Sequence, residues 1–225
     1  MSNFQFTRFN YLPTAVKNLL ILNGLVFLAT VAFPELIYKL GLYYPTSSYF
    51  QPYQIVTHMF THGDFWHVFF NMFALWMFGA VLENVWGPKR FLIFYFVTGL
   101  GAAAVHMGVN AYQIYEISGS LNPIGLPDLV IDKISRYMGP TVGASGAVYG
   151  ILIAFGMLFP NTLLYIYFLL PIKAKYVVII LIGMQLYLGF IDSPTDNVAH
   201  FAHLGGALFG FLLIKYWGRN KRRFY

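Results

Sequence analysis

Six stretches of this chain are apolar over lengths that cross, or nearly cross, a lipid bilayer, and that leaves few folds open. A helical span needs about 20 apolar residues rising about 1.5 Å each. The runs lie at about 16–33, 65–86, 91–109, 144–159, 176–191 and 198–216. Only 10% of the 225 residues are charged, whereas a soluble domain carries about 25%. Too little polar surface remains to coat a water-soluble globule. The expected fold is all-α: a polytopic membrane protein built as one bundle of six transmembrane helices. A signal peptide would have an apolar core of roughly 7–15 residues. The run from Val16 to Phe33 is longer and ends at Phe33-Pro34-Glu35, so it is expected to remain as a helix.

The formal net charge of +6 raises the question of a nucleic-acid partner. The basic residues flank apolar runs, as loop anchors do, so none is expected. With no cysteine, disulfides and thiolate metal sites are excluded. Six spans put both termini on one side. Arg8, Lys17, Lys89, Arg90, Lys173, Lys175, Lys215, Arg219, Lys221, Arg222 and Arg223 then share it, 11 of the 14 basic residues, against Lys39, Lys133 and Arg136 on the other. The positive-inside rule makes the first side cytoplasmic. Seven of the eight acids fall outside, all but Glu83.

The expected organisation is a leader at 1–15, the bundle at 16–216 and a basic tail at 217–225. Outer loops occupy 34–64 and 110–142, the second with a short amphipathic helix around Leu129 to Tyr137. Trp66 and Trp86, 20 residues apart and so about 30 Å along a helix, are expected to anchor the second helix at the two interfaces. Pro160 and Pro171 bracket a segment from Leu163 to Leu170 that is too short to span. It is expected to lie at the interface.

With this topology the second, fourth and sixth helices carry polar groups to one level. Asn71 is six residues past Phe65 and His203 six past Asn197, each roughly 9 Å below the outer face. Ser145 is 14 residues above Phe159, about 21 Å up a core of roughly 30 Å, again roughly 9 Å from the outside. Buried polar groups at that depth are costly unless paired or wetted, and so are candidates for function. The fourth helix is too short to reach the outer face. The preceding loop must dip to meet it, which requires a water-filled cavity.

A serine hydroxyl becomes a nucleophile when a base takes its proton. His203 is the expected base. No carboxylate lies mid-membrane to orient it, so the expected arrangement is a Ser145–His203 dyad. The Ser145 amide, at a helix N-terminus, and side-chain donors from His67 and Asn71, spaced i, i+4, would hold an oxyanion. Gly206 and Gly210 lie on the His203 face and would let the sixth helix approach the fourth, with Gly146 and Gly150 doing the same from the other side.

These motifs resemble the rhomboid family of intramembrane serine proteases. Gly143-Ala144-Ser145-Gly146 resembles its G-x-S-G nucleophile motif. Tyr149 stands where an aromatic stacks on the catalytic histidine. His203 with Gly206 and Gly210 is similar to H-x-x-G-x-x-x-G, and His67 with Asn71 to H-x-x-x-N. His58 and His62 fall where the family has histidines before the second helix. The likeness covers about residues 15–216. It implies cleavage of transmembrane protein substrates in or near the bilayer without a cofactor, in a bacterial inner membrane with the site open to the outer side. It also implies a gate made by the fifth helix and the 192–197 loop. The family often has a Trp-Arg pair in the first loop, where Tyr53 and Gln54 stand here. The 110–142 loop is longer than in compact bacterial members.

Plainer readings compete. A lone serine in a Gly/Ala-rich helix is usually a packing residue; its coincidence with His203, His67 and Asn71 favours catalysis. His200 is a rival base about a turn shallower, and His106, at similar depth, lacks a motif. His58 and His62 are i, i+4, but no Asp or Glu completes H-E-x-x-H, so no metal is expected. Gln185 is expected to make an interhelical bond. The alternative function is a non-proteolytic rhomboid-like protein that binds transmembrane segments, although such members typically lack the serine or histidine. A transporter would want midplane charges or internal repeats, and neither is found.

Overall fold

Helices form at all six expected positions in a computed structural model, which describes residues 9–122, 125–166, 170–191 and 199–219. Helix α1 is Thr14–Ala32, ended by Pro34. Its first N–H groups lack intrahelical acceptors, and the buried carboxylate of Glu83 supplies them. Oε1 accepts from Ala15 N and Oε2 from Val16 N, each at 2.8 Å. Glu83 thus caps a helix whose positive dipole end it faces.

The first outer loop carries two short helices, α2 (Glu35–Leu40) and α3 (Gln54–Thr57). Helix α4, Phe65–Trp86, is capped by Asp64, whose side chain accepts from His67 N, and contains one π turn at Leu75–Gly79. Gly87, at φ 77°, turns the chain into α5, Pro88–Ser118. At 31 residues α5 runs nine residues past the expected end, and Asp128–Met138 forms α6. The short helix expected around Leu129 to Tyr137 is therefore present as α6, and the unexpected helix in this region is the extension of α5 to Ser118. Ile134 of α6 is fully buried against Tyr44 and Ile114, so α6 closes over the outer end of α5.

Helix α7 is Ser145–Leu158. The segment expected at the interface forms an antiparallel strand pair, β1 (Leu163–Ile166) and β2 (Leu170–Lys173), with Leu163 opposite Lys173. Helix α8 is Ala174–Ile191 and α9 is His200–Arg219. The 192–197 loop lies outside the described residues. By length and composition α1, α4, α5 and α8 can each cross a membrane. Helix α7, with 14 residues, is shorter.

Packing divides the bundle into two zones. Towards the inner end, Leu82, Phe91, Phe94 and Tyr95 are fully buried. Trp86 packs there against Phe94 and Trp217, with ring centroids 5.0 and 5.5 Å apart. It is partly buried against the core, whereas Trp66 is exposed. Towards the outer end, small residues bring α5, α7 and α9 together. A Cβ on Gly206 would overlap the carbonyl of Gly146, and one on Gly210 would sit 3.0 Å from the Gly150 Cα. Gly146 and Gly150 do not mirror this: their own Cβ positions face Ala102 and Thr98 of α5. Helix α7 therefore shows bare backbone to α9 while its glycines admit α5.

Candidate active site

The loop before α7 descends into the bundle, and the first outer loop pays its backbone hydrogen bonds. Leu42 and Thr141 exchange two N–H···O bonds of 2.9 Å, Gly143 N donates to His58 O at 2.9 Å, and Ala144 N donates to His62 Nε2 at 3.4 Å. Burial, with His67 nearby, pushes the His62 imidazole down to about 3, which keeps it a neutral acceptor. His58 is fixed in turn through Nδ1, 2.8 Å from Gln54 O. Gln54 is 1% exposed. Its Oε1 accepts from Gln51 N and its Nε2 donates to the carbonyls of Lys39 and Tyr49, at 3.0–3.1 Å. Gln54 thereby ties the first loop together.

Gly143 has φ 127°, a conformation open to glycine, and a Cβ there would lie 2.7 Å from His67 Nε2. The chain thus turns tightly into α7 with His67 against the turn. Ser145 is the first residue of α7, so its amide N–H has no intrahelical acceptor. Its Oγ lies 2.7 Å from His203 Nε2. The Tyr149 ring stacks on the His203 imidazole, centroids 4.4 Å apart and planes 9° apart.

His67 and Asn71 share one face of α4, and Asn71 Nδ2 donates to His67 O at 2.9 Å, which leaves its second hydrogen for another acceptor. A cavity of about 1140 Å³ is lined by His67, Asn71, Ser145, Tyr149, His200 and His203 together. Its other walls are largely apolar, including Phe73 and Met77 of α4 and Leu181 and Leu188 of α8. Beside Ser145 a second cavity of about 20 Å³, bordered by His58 and Thr141, has room for one water.

Of the rival histidines, His200 turns Nδ1 to Gln185 and not to Ser145. His106 Nε2 lies 2.9 Å from Thr141 Oγ1, so it holds the descending loop. Gln185 goes further than the interhelical bond expected of it. Its Oε1 lies 2.8 Å from His203 Nδ1 and 2.7 Å from His200 Nδ1, and its Nε2 donates to the Tyr149 hydroxyl at 2.6 Å. Reading the sequence did not connect it to His203. The available signal was that Gln185 is the lone amide side chain in the apolar middle of α8.

Residues 49–220 match the family model described as the Rhomboid domain. The chain is 33% identical over 153 residues to RHOMBOID-like protein 12, mitochondrial, of Arabidopsis thaliana, a match covering 68% of this chain and 43% of that one. It is 30% identical over 158 residues to Rhomboid protein 1, mitochondrial, of Saccharomyces cerevisiae, covering 70% and 40%. To Rhomboid protease AarA of Providencia stuartii it is 34% identical over 163 residues, covering 69% and 52%. The chain therefore spans 40% to 52% of the length of these relatives.

Proposed function

The chain belongs to the rhomboid family, and on that premise we propose that it is an intramembrane serine endopeptidase whose nucleophile is Ser145 and whose base is His203. The observation that carries this is the 2.7 Å contact of Ser145 Oγ with His203 Nε2, in one cavity with His67 and Asn71. In the reaction, Oγ attacks the scissile carbonyl as its proton moves to Nε2. The developing oxyanion is met by the Ser145 N–H, the second Asn71 Nδ2 hydrogen and His67. His203 returns its proton to the leaving amine, and the same nitrogen then deprotonates the water that hydrolyses the acyl-enzyme.

The substrate class is a transmembrane protein segment. Apolar walls between α4 and α8 suit such a chain, and unwinding it there exposes a peptide carbonyl to Ser145. Residues 16–216 form the protease unit. The ends of α1 and α9 that carry Lys17 and Lys215 face the cytoplasm, and the site opens to the opposite side of a bacterial inner membrane.

The test is cleavage of a single-span model substrate by protein reconstituted in liposomes. Ser145→Ala and His203→Ala are expected to abolish cleavage with the fold intact, and His200→Ala to be mild. Cleavage that survives Ser145→Ala overturns the reading. A folded wild type that binds the span but leaves it whole turns the assignment to a binding protein.

A further inference from the structure

His203 must meet two conditions to act as base. Its ring must face Ser145, and its Nε2 must be unprotonated. Stacking on Tyr149 fixes the plane of the ring but says nothing about which nitrogen holds the proton. That depends on what Nδ1 meets. Among the described residues the group at Nδ1 is Gln185 Oε1, at 2.8 Å.

We propose that Gln185 is the positioning residue of the base: its amide oxygen accepts the Nδ1 proton of His203 and so leaves Nε2 free to take the Ser145 proton. This rests on the protease reading above. A carbonyl oxygen has two lone pairs, and the second accepts from His200 Nδ1 at 2.7 Å. The nitrogen end of the amide donates to Tyr149 OH at 2.6 Å. Both ends of the amide are engaged, and the residue is 9% exposed. Turning the amide over would present N–H to both Nδ1 atoms. Each imidazole would then carry its proton on Nε2, and His203 would face Ser145 with a donor, unable to act as its base.

The proton balance is simple. During attack the Ser145 proton goes to Nε2, and the Nδ1 proton stays shared with Oε1 throughout. Gln185 therefore neither gains nor loses a proton. It does for this histidine what a buried aspartate does in a triad, without the charge. The acceptor is also delivered by a third helix. Serine and base stand on α7 and α9, whereas Gln185 stands on α8, where it shares a buried stripe with Val178 and Gly189. The base is set correctly when α8 lies against α7 and α9. Any displacement of α8 that carries Gln185 away removes the group that fixes the tautomer.

Two variants separate orientation from packing. Gln185→Met keeps length and bulk and removes both polar ends. Gln185→Glu, when ionised, presents oxygen alone, so it enforces the same tautomer. Cleavage of a single-span model substrate is measured in detergent with thermal unfolding, beside Ser145→Ala and His203→Ala. Gln185→Met is expected to lower kcat by about 10–100-fold, less than the loss on neutralising a triad carboxylate, with KM within about two-fold. Gln185→Glu is expected to return kcat to within about five-fold of wild type. A Gln185→Met enzyme with unchanged kcat overturns the proposal, as does a folded Gln185→Glu enzyme as impaired as Gln185→Met. If Gln185→Met does not fold, Gln185→Glu decides alone: near-normal kcat upholds the assignment, and loss of kcat in a folded protein overturns it. Cleavage that persists in Ser145→Ala or His203→Ala would instead defeat the dyad, a different failure from this one.

Discussion

Adding one methyl group at Gly206 should switch off catalysis without unfolding the protein. Gly206 is three residues beyond His203, one helical turn along the same face of α9, and it rests on the backbone of Gly146, the neighbour of Ser145. A Cβ at position 206 would overlap the Gly146 carbonyl oxygen. Carbon and carbonyl oxygen approach to about 3.3 Å at closest, so α9 must move away from α7 by about 1 Å or more. The contact being forced apart lies beside the Ser145–His203 pair, so the 2.7 Å separation there opens to roughly 3.7 Å, beyond hydrogen-bond reach. A misplacement of about 1 Å can cost on the order of 100-fold in rate, while overpacking costs about 1–3 kcal/mol in stability. Gly210→Ala, where the new Cβ would meet Gly150 at 3.0 Å, should be milder. Gly24→Ala, in α1 with nothing within 4 Å, should leave cleavage unchanged. The assay is cleavage of a model substrate in detergent with thermal unfolding alongside. Wild-type rate in a folded Gly206→Ala protein would refute the claim that this contact sets the dyad distance.

Other consequences follow from the same structure. Asn71→Ala should lower cleavage by about 10–1,000-fold, the scale of losing one oxyanion donor or less, with the unfolding temperature little changed; an unaffected rate would remove Asn71 from the oxyanion site. Glu83→Ala strips two charge-assisted hydrogen bonds from the start of α1. A loss on the order of 3 kcal/mol is expected, read by thermal unfolding. His62 is held down from its ordinary 6.5 to about 3, first by burial and then by His67. Its neutral form is favoured in the fold, so this contribution is complete above about pH 7 and is lost as pH falls below about 6.5 towards 3. His62→Gln should unfold at a temperature that falls less between pH 7.5 and pH 5.5 than that of wild type.

Several features were legible because simple geometry dictates them. Helix rise placed Ser145, Asn71 and His203 at one depth, and the structure brings all three to one cavity. The shortness of α7 implied a loop that dips, and the hydrogen bonds from Leu42, His58 and His62 show what holds it there. What escaped notice has physical causes too. Asn110, Gln113 and Glu116 read as loop because they are polar, yet polar side chains do not by themselves end a helix. No proline or glycine interrupts α5 between Gly108 and Gly119. The strand pair at 163–166 and 170–173 hid behind its apolar character, which fits an interfacial segment equally well. Rotation about a helix axis was hardest to read. Nothing in the sequence told that Gly146 and Gly150 turn towards α5, that Trp86 packs on Trp217, or that Gln185 reaches His203.

The central claim is that Ser145 is activated by His203. Labelling of the detergent-purified protein with a fluorophosphonate probe tests it most directly, because the probe reports an activated serine whatever the natural substrate. The wild type should label covalently, and Ser145→Ala and His203→Ala should not, with all three proteins giving similar unfolding temperatures. Labelling that persists without His203 would contradict the claim, as would a folded wild type whose Ser145 is accessible to the probe and does not react.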